Sequence, residues 1–404
     1  MLKVLRLRDF RLLWIGGTIS ALGSWLLVLA VPAHVFLVTK SLAATGLTLA
    51  AEYFPALCLG PVAGVLTDRW NRRSLLIAAN FFRALVVAAM LLGLAPSHYW
   101  VFYAALIAES AATTFAIPAQ QARTPAIVGT GPELTSANSL NAVSSGLVGV
   151  LGGPLGGILL ATLGIQVLIV ADVLSYLVAA IAILMTTREK SEKDTGRGSG
   201  VPAILAELRS GIGVLSRDPV ARALLPVWVV FLAANASLTA VVVPFGIRQL
   251  GGSRATGLLF AALGVGYLLG APVLKLTLDR FAPRYLEFFA LGATAIGYLL
   301  LFHSTSLSAA LPSAVAVGMF GSLALDITQT TVQRVIPNAA LGRISAVFLA
   351  SEAAATLAGA VAGPVLAQAI QLSGLVTIAS IATAIAAVLA VILVPALDPV
   401  AASA

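Results

Sequence analysis

The sequence is a succession of long apolar runs separated by short polar turns. The runs occupy about 10–38, 43–67, 74–94, 99–121, 134–163 and 166–187, and then about 220–247, 255–278, 285–303, 309–333, 343–370 and 374–396. A helix rises about 1.5 Å per residue, so roughly 20 apolar residues cross a hydrocarbon layer about 30 Å thick. Strands of a transmembrane barrel would be short and would alternate in polarity, which these unbroken runs do not do. Composition agrees: 59% of residues are hydrophobic and 10% charged, with a mean hydropathy of +1.01. No water-soluble packing hides that much hydrocarbon. The pattern predicts an all-α polytopic membrane protein with twelve transmembrane helices.

The net charge of +8 would fit a nucleic-acid partner, but its placement speaks for topology. With a cytoplasmic N-terminus, 19 of the 24 Lys and Arg residues fall on the cytoplasmic side. Lys40, Arg248 and Arg254 are the 3 on the other side, and Arg83 and Lys275 lie inside helices. The positive-inside rule then puts both termini in the cytoplasm and leaves no role for nucleic acid. Cys58 is the single cysteine and sits in a helix, so neither a disulfide framework nor a metal cluster is expected. The first run is too long for a cleavable signal. Between the two sets of six runs lies the polar stretch Arg188–Gly200, followed by a helical apolar period over 203–217. It reads as a solvated linker leading into an interfacial helix. The expected organisation is a six-helix half over 1–187, a cytoplasmic linker over 188–219 and a second half over 220–404.

The halves are related. The stretch Gly60-Pro-Val-Ala-Gly64-Val-Leu-Thr-Asp68-Arg69-Trp-Asn-Arg72-Arg73 joins two helices through a charged turn. A degraded copy returns 211 residues later, around Pro272, Asp279, Arg280 and Arg284. Arg123 and Arg334 share that offset, and Gly153-Pro154 returns as Gly363-Pro364 at 210. Six is even, so the halves enter from the same side as parallel repeats, with a substrate site expected between them near the midplane.

The Gly60/Gly64/Asp68/Arg69/Arg72/Arg73 stretch resembles the loop signature of the major facilitator superfamily, with Asn71 where that family usually has Gly. Asn tolerates positive φ better than most residues, so the turn is expected to survive. Gly149-x-x-x-Gly153-Pro154-x-x-Gly157 is similar to the superfamily's antiporter motif, with Ile158 replacing its final Gly. Leu7-Arg8-Asp9-Phe10-Arg11-Leu12-Leu13-Trp14, Pro118-Ala119-Gln120-Gln121-Ala122, Ala137-Asn138 and Glu207-Leu208-Arg209-Ser210-Gly211 resemble the drug:proton antiporter branch that contains macrolide efflux proteins and enterobactin exporters. The resemblance implies a cytoplasmic gate at Asp68 and its arginines, repeated at Asp279, Arg280 and Arg284. One departure is that no Lys or Arg lies between His98 and Arg123, where the better-known drug antiporters carry a basic residue in helix 4.

No phosphate-binding loop, metal-spaced cluster or convergent catalytic set is present, so neither a cofactor nor an enzyme activity is expected, and energy must come from a gradient or a partner. Proton coupling needs carboxylates that can lose their water, and Glu52, Glu109, Asp172, Asp326 and Glu352 fall inside spans. Glu109 and Glu352 are nearest the midplane, where a charge costs roughly 3 kcal/mol and must be neutralised, paired or wetted. Depth and chemistry nominate Trp25, Tyr53, Phe54, Thr113, Phe231, Asn235 and Thr330 as pocket residues. Gly149, Gly153 and Gly157 share one small-residue face, which also serves plain helix packing, and Pro154 adds a bend. The expected function is proton-coupled export of hydrophobic or amphipathic small molecules by a monomer in a bacterial inner membrane. Export of one metabolite, siderophore or lysolipid, and a receptor that does not transport, remain open alternatives on sequence.

Overall fold

The computed structural model describes residues 2–129, 131–187, 213, 215–336 and 338–396, with the backbone alone at 2, 61–62, 64–65, 68–69, 96, 338–340 and 342–343. The expected linker and most of the interfacial helix lie outside the described residues, as do the side chains of Asp68 and Arg69, and Gly64 is described by its backbone conformation alone. The described residues are helical almost throughout: α1 Arg8–Thr39, α2 Leu42–Arg69, α3 Arg72–Ala89, α4 Trp100–Val128, α5 Pro132–Leu163 and α6 Ile165–Leu184. They continue as α7 Pro219–Gln249, α8 Ser253–Thr277, α9 Pro283–Phe302 and α10 Leu307–Val335. The last helical span, Asn338–Leu393, is broken at Gln371, whose φ of 65° lies in the left-handed region. That break divides it into α11 (338–370) and α12 (372–393), which completes twelve long apolar helices among the described residues. Short 3-10 turns precede α1 and follow α3.

Local chemistry accounts for the ends. Asp218 caps α7 by accepting from the N–H groups of Val220 and Ala221 at 2.9 and 2.8 Å, and Pro219 takes the first helical position. Gly164, at φ 78°, is the single residue between α5 and α6. Two sequence expectations are corrected here. Asn71 does not use positive φ: at φ −66° it caps α3, its side chain accepting from Ser74 N–H at 2.9 Å. And α4 runs through Pro118 and Pro125 to Val128, so Arg123 is a buried helical residue, not a loop residue.

The chain divides into one unit of Met1–Lys40 with Ala51–Val201 and another of Ser41–Ala50 with Pro202–Ala404. The first turns of α2 thus group with the second unit, where Gly46 lies against Ala360 and Pro364 of α11, while the sequence halves would place them in 1–187. Within the first unit α1 packs on α5 and α6, and α3 packs on α4 and α6. In the second unit α7 and α9 both pack on the Asn338–Leu393 span, and α9 also packs on α10. The duplicated sequence thus folds by a duplicated pairing scheme. Small residues permit the close approaches: Gly156 faces the Leu26 backbone, and Gly363 faces Ser237 at 2.6 Å from where its Cβ would stand. Large apolar side chains such as Leu85 (70% exposed) and Leu92 (72%) point outward, as a lipid-facing surface requires.

Candidate functional site

The first unit gathers polar side chains around one carboxyl. Glu109 lies nine residues into α4, about 14 Å along the helix at 1.5 Å per residue. Its Oε1 accepts from Thr113 Oγ1 and from Tyr176 Oη, each at 2.7 Å. Thr113, one turn on, also accepts from Arg83 Nη1 at 3.3 Å. Arg83 of α3 is held twice more: Nη2 donates to Asn80 Oδ1 at 2.7 Å, and the guanidinium stands 4.6 Å above the Tyr176 ring. Asn80 is fixed in turn by donating to Leu76 O at 2.8 Å. From α1, Ser24 Oγ lies 2.9 Å from the Tyr176 hydroxyl. Four helices therefore converge on a half-buried carboxyl.

The two hydroxyl donors satisfy one oxygen of this half-buried carboxyl. Arg83 stays linked to Glu109 through the Thr113 hydroxyl, so the charge pair is buffered by one group. Two further carboxyls are close enough to interact electrostatically with Glu109. Asp172 of α6 is 1% exposed and accepts from Ser175 Oγ at 3.0 Å. Glu52 of α2 is half-buried, and its carbonyl accepts from Ser110 Oγ. Gly23 of α1 leaves room for this corner, because a Cβ there would overlap Asp172 Oδ1 and Ser175 Oγ.

The remaining candidates are dispersed. In the second unit Asp326 and Glu352 are half-buried, and both interact electrostatically with Tyr267 of α8, which sequence reasoning missed. Asn235 accepts from Tyr298 Oη at 2.7 Å. Phe231 is 3% exposed and belongs to an apolar core with Val227, Ala290 and Ile327, so its ring is a packing group. Thr330 and Tyr53 are half-buried, and Phe54 is 48% exposed. Trp25 lies over the α5 glycines, its Cζ2 3.9 Å from the Cβ position of Gly149, with Gly152 beneath its own Cβ. Gly153 and Gly157 are buried. In the first unit the tight approach to α1 is made by Gly152 and Gly156, a register shifted from the motif's Gly149 and Gly153.

At the helix ends, Arg73 Nη2 donates to Leu184 O at 2.6 Å, satisfying a carbonyl at the end of α6. Arg72 is half-buried, and Gly60 faces open space. Arg123 donates to Thr186 Oγ1 at 2.6 Å and to Thr187 O at 3.3 Å. In the second copy Asp279 pairs with Arg334 at 2.9 Å, Arg284 donates to Tyr285 Oη at 2.8 Å, and Arg280 is exposed. Lys275 is exposed as well. One acidic residue absent from the sequence candidates, Glu287 on α9, is 2% exposed and accepts from Thr328 Oγ1 at 3.0 Å. It lies inside the 285–303 run, near its start, and was missed among the acidic residues of the spans.

A profile described as transmembrane secretion effector matches residues 2–403. The chain is 25% identical over 376 residues, 87% of its length and 85% of the relative's, to the uncharacterized MFS-type transporter YfiS of Bacillus subtilis (strain 168). It is also 25% identical over 230 residues, 55% of each chain, to macrolide efflux protein A of Streptococcus pyogenes. Among solved structures it resembles a D-xylose-proton symporter with a TM-score of 0.73 and 15% identity, covering 96% of this chain and 98% of that one.

Proposed function

This chain belongs to the transmembrane secretion effector family of the major facilitator superfamily, and from that premise we propose that it is a proton-coupled exporter of hydrophobic or amphipathic small molecules, working by alternating access. The observation that carries the reading is the convergence of Thr113, Tyr176 and, through Thr113, Arg83 on Glu109. In this reading Glu109 is the coupling carboxyl. When it is ionised, two hydroxyls and a nearby guanidinium balance it. When it takes a proton, the hydroxyls no longer face a charge. A cationic or amphipathic substrate then competes with the proton for one half-buried carboxylate, and that competition is the basis of antiport. Asp172 and Glu52 are its electrostatic neighbours. Asp326, Glu352 and Tyr267 are the corresponding candidates in the second unit, with Asn235 and Thr330 as polar wall residues and Trp25, Tyr53 and Phe54 as apolar ones.

Export as the direction draws support from the likeness to a protein named for macrolide efflux. The gate assigned to Asp68, Arg69, Arg72 and Arg73 draws support from its second copy, where Asp279 and Arg334 form an ion pair. The protein is read as a monomer in a bacterial inner membrane with both termini cytoplasmic, its partners being substrate, protons and lipid. The test is proton movement in proteoliposomes holding a pH-sensitive dye, on addition of lipophilic cations. Saturable, substrate-evoked flux that is lost in Glu109→Gln is expected. Equal flux in the variant would remove Glu109 from the coupling path, and no flux with any compound would remove proton coupling.

A further inference from the structure

The second unit buries an acidic side chain that has no part in the reading above. Glu287 stands one turn past Pro283 on α9 and is 2% exposed. Leu286, Ala290 and Leu291 of α9 and Ile327 of α10 surround that turn with a single apolar core. One carboxyl oxygen, Oε1, accepts from Thr328 Oγ1 at 3.0 Å. The other, Oε2, is shut off from solvent and has no hydrogen-bond partner among the described residues. One turn further along α10, the hydroxyl of Thr331 is likewise buried and unpartnered.

The charged and titratable groups around this seam are bonded to other groups, half-buried or exposed, Arg222 of α7 among the exposed ones. On α10, Arg334 pairs with Asp279 at 2.9 Å. Asp326 is half-buried and precedes Thr328 by two residues, about 200° around the helix. Over 372–393, α12 has no titratable residue. At the end of α8 and in the following turn, Lys275, Asp279 and Arg280 are exposed. On α9 itself, Arg284 Nη2 bonds to Tyr285 while its Nε is buried and unpartnered among the described residues, with no ion pair to Glu287, and Tyr298 bonds to Asn235. On α11, Glu352 is half-buried and interacts with Tyr267, and the side chain of Arg343 is outside the described residues. Among the described residues no cation forms an ion pair with Glu287. A carboxylate with one donor and no counter-charge is not held in an apolar core, whereas a carboxylic acid is.

We propose that Glu287 is a proton-binding site of the second unit, a carboxylic acid with its proton on Oε2 while the α9–α10 seam is closed, and a carboxylate when water enters from the Pro283 end. The step is a simple dissociation: the O–H bond of Oε2 breaks, the electron pair stays on the carboxylate, and the proton goes to water. Only one turn of α9 separates the group from the helix end, so a small opening suffices. The assignment does not depend on the first unit or on the direction of transport.

The test is infrared difference spectroscopy of the full chain in lipid nanodiscs, between acidic and alkaline buffer. Wild type is expected to lose a carboxylic-acid C=O band on going to alkaline buffer, and Glu287→Gln is expected to lack that band. Thr328→Val should shift the band, because it removes the donor to Oε1, and it decides the matter if Glu287→Gln does not fold. Glu109→Gln should leave the band in place, which separates this site from the first-unit carboxyl. Identical difference spectra in wild type and Glu287→Gln, or no shift in Thr328→Val, would overturn the assignment. A Glu287 band that persists at every pH at which the protein stays folded would make it a fixed structural acid, and a band that responds to sodium at constant pH would make the site one for a metal cation. Either result overturns the proposal.

Discussion

Gly23→Ala reaches the Glu109 network through packing alone. An added Cβ would overlap Asp172 Oδ1 and Ser175 Oγ and would stand 2.9 Å from Ser175 Cβ, all on α6. Carbon atoms in contact need about 3.5 Å, so α1 and α6 must separate by roughly half an ångström. The Ser24–Tyr176 contact, 2.9 Å in the native protein, spans the same helix pair and is stretched beyond good hydrogen-bond length. Overpacking costs about 1–3 kcal/mol and the lost hydrogen bond about 0.5–1.5. The sum, about 1.5–4.5 kcal/mol, should lower the unfolding midpoint of the purified protein and slow substrate-evoked proton flux. Adding Ser175→Ala removes one of the overlaps and should restore part of the loss, a non-additive pair of the kind neighbours produce. Gly149→Ala is the control: its Cβ would meet only Trp25 Cζ2, at an ordinary 3.9 Å, so stability should hold or rise although Gly149 belongs to the antiporter-like motif. A Gly23→Ala protein that unfolds at the wild-type temperature and transports at the wild-type rate would refute the packing argument.

Two other perturbations separate stability from function. The Asp279–Arg334 pair is solvent-facing, with side-chain exposures of 66% and 30%, so Asp279→Asn should change stability by less than about 1 kcal/mol. A gating role nevertheless predicts slower transport in Asp279→Asn, and an unchanged transport rate would count against the gate. At Asn71, replacement by Gly should cost only a few tenths of a kcal/mol, whereas Ala should cost about 0.5–2, because the helix cap is lost. Thermal unfolding of the two variants measures that difference, and equal losses would rule out the capping role.

The fold was legible because hydrocarbon thickness dictates run length, and the helix ends observed lie within a few residues of the apolar windows except at α4. There the helix runs on past the expected end at 121, through Pro125 to Val128, since neighbouring helices tolerate prolines inside a membrane span. The site was half legible. Glu109 and Thr113 stand out as one helical face. Arg83 and Tyr176 come from α3 and α6, and only tertiary packing brings them to that face. Glu287 lay inside the 285–303 run and was overlooked there, and sequence alone does not tell whether a charge one turn from a helix end turns to solvent or inward. Asn71 illustrates substitution by another mechanism, because the resemblance called for a residue that tolerates positive φ and the turn uses a side-chain cap instead.

The departure noted in helix 4, the missing basic residue between His98 and Arg123, takes on a physical meaning in the light of Arg83. Packed helices lie about 8–10 Å apart, a span that an Arg side chain bridges, so a cation needed beside a carboxyl on α4 can be supplied from α3. Arg83 does this with its guanidinium fixed by Asn80 and stacked on Tyr176. The cation is therefore the stationary member. Glu109 is half-buried, and its two donors are hydroxyls, which rotate at little cost. If the proton site is to be reached from alternate sides, the inexpensive motion is reorientation of the Glu109 carboxyl and the Thr113 and Tyr176 hydroxyls about a fixed guanidinium. On that argument the Arg83 guanidinium stays in place, and the exchange proposed above takes place at the Glu109 carboxyl beside it.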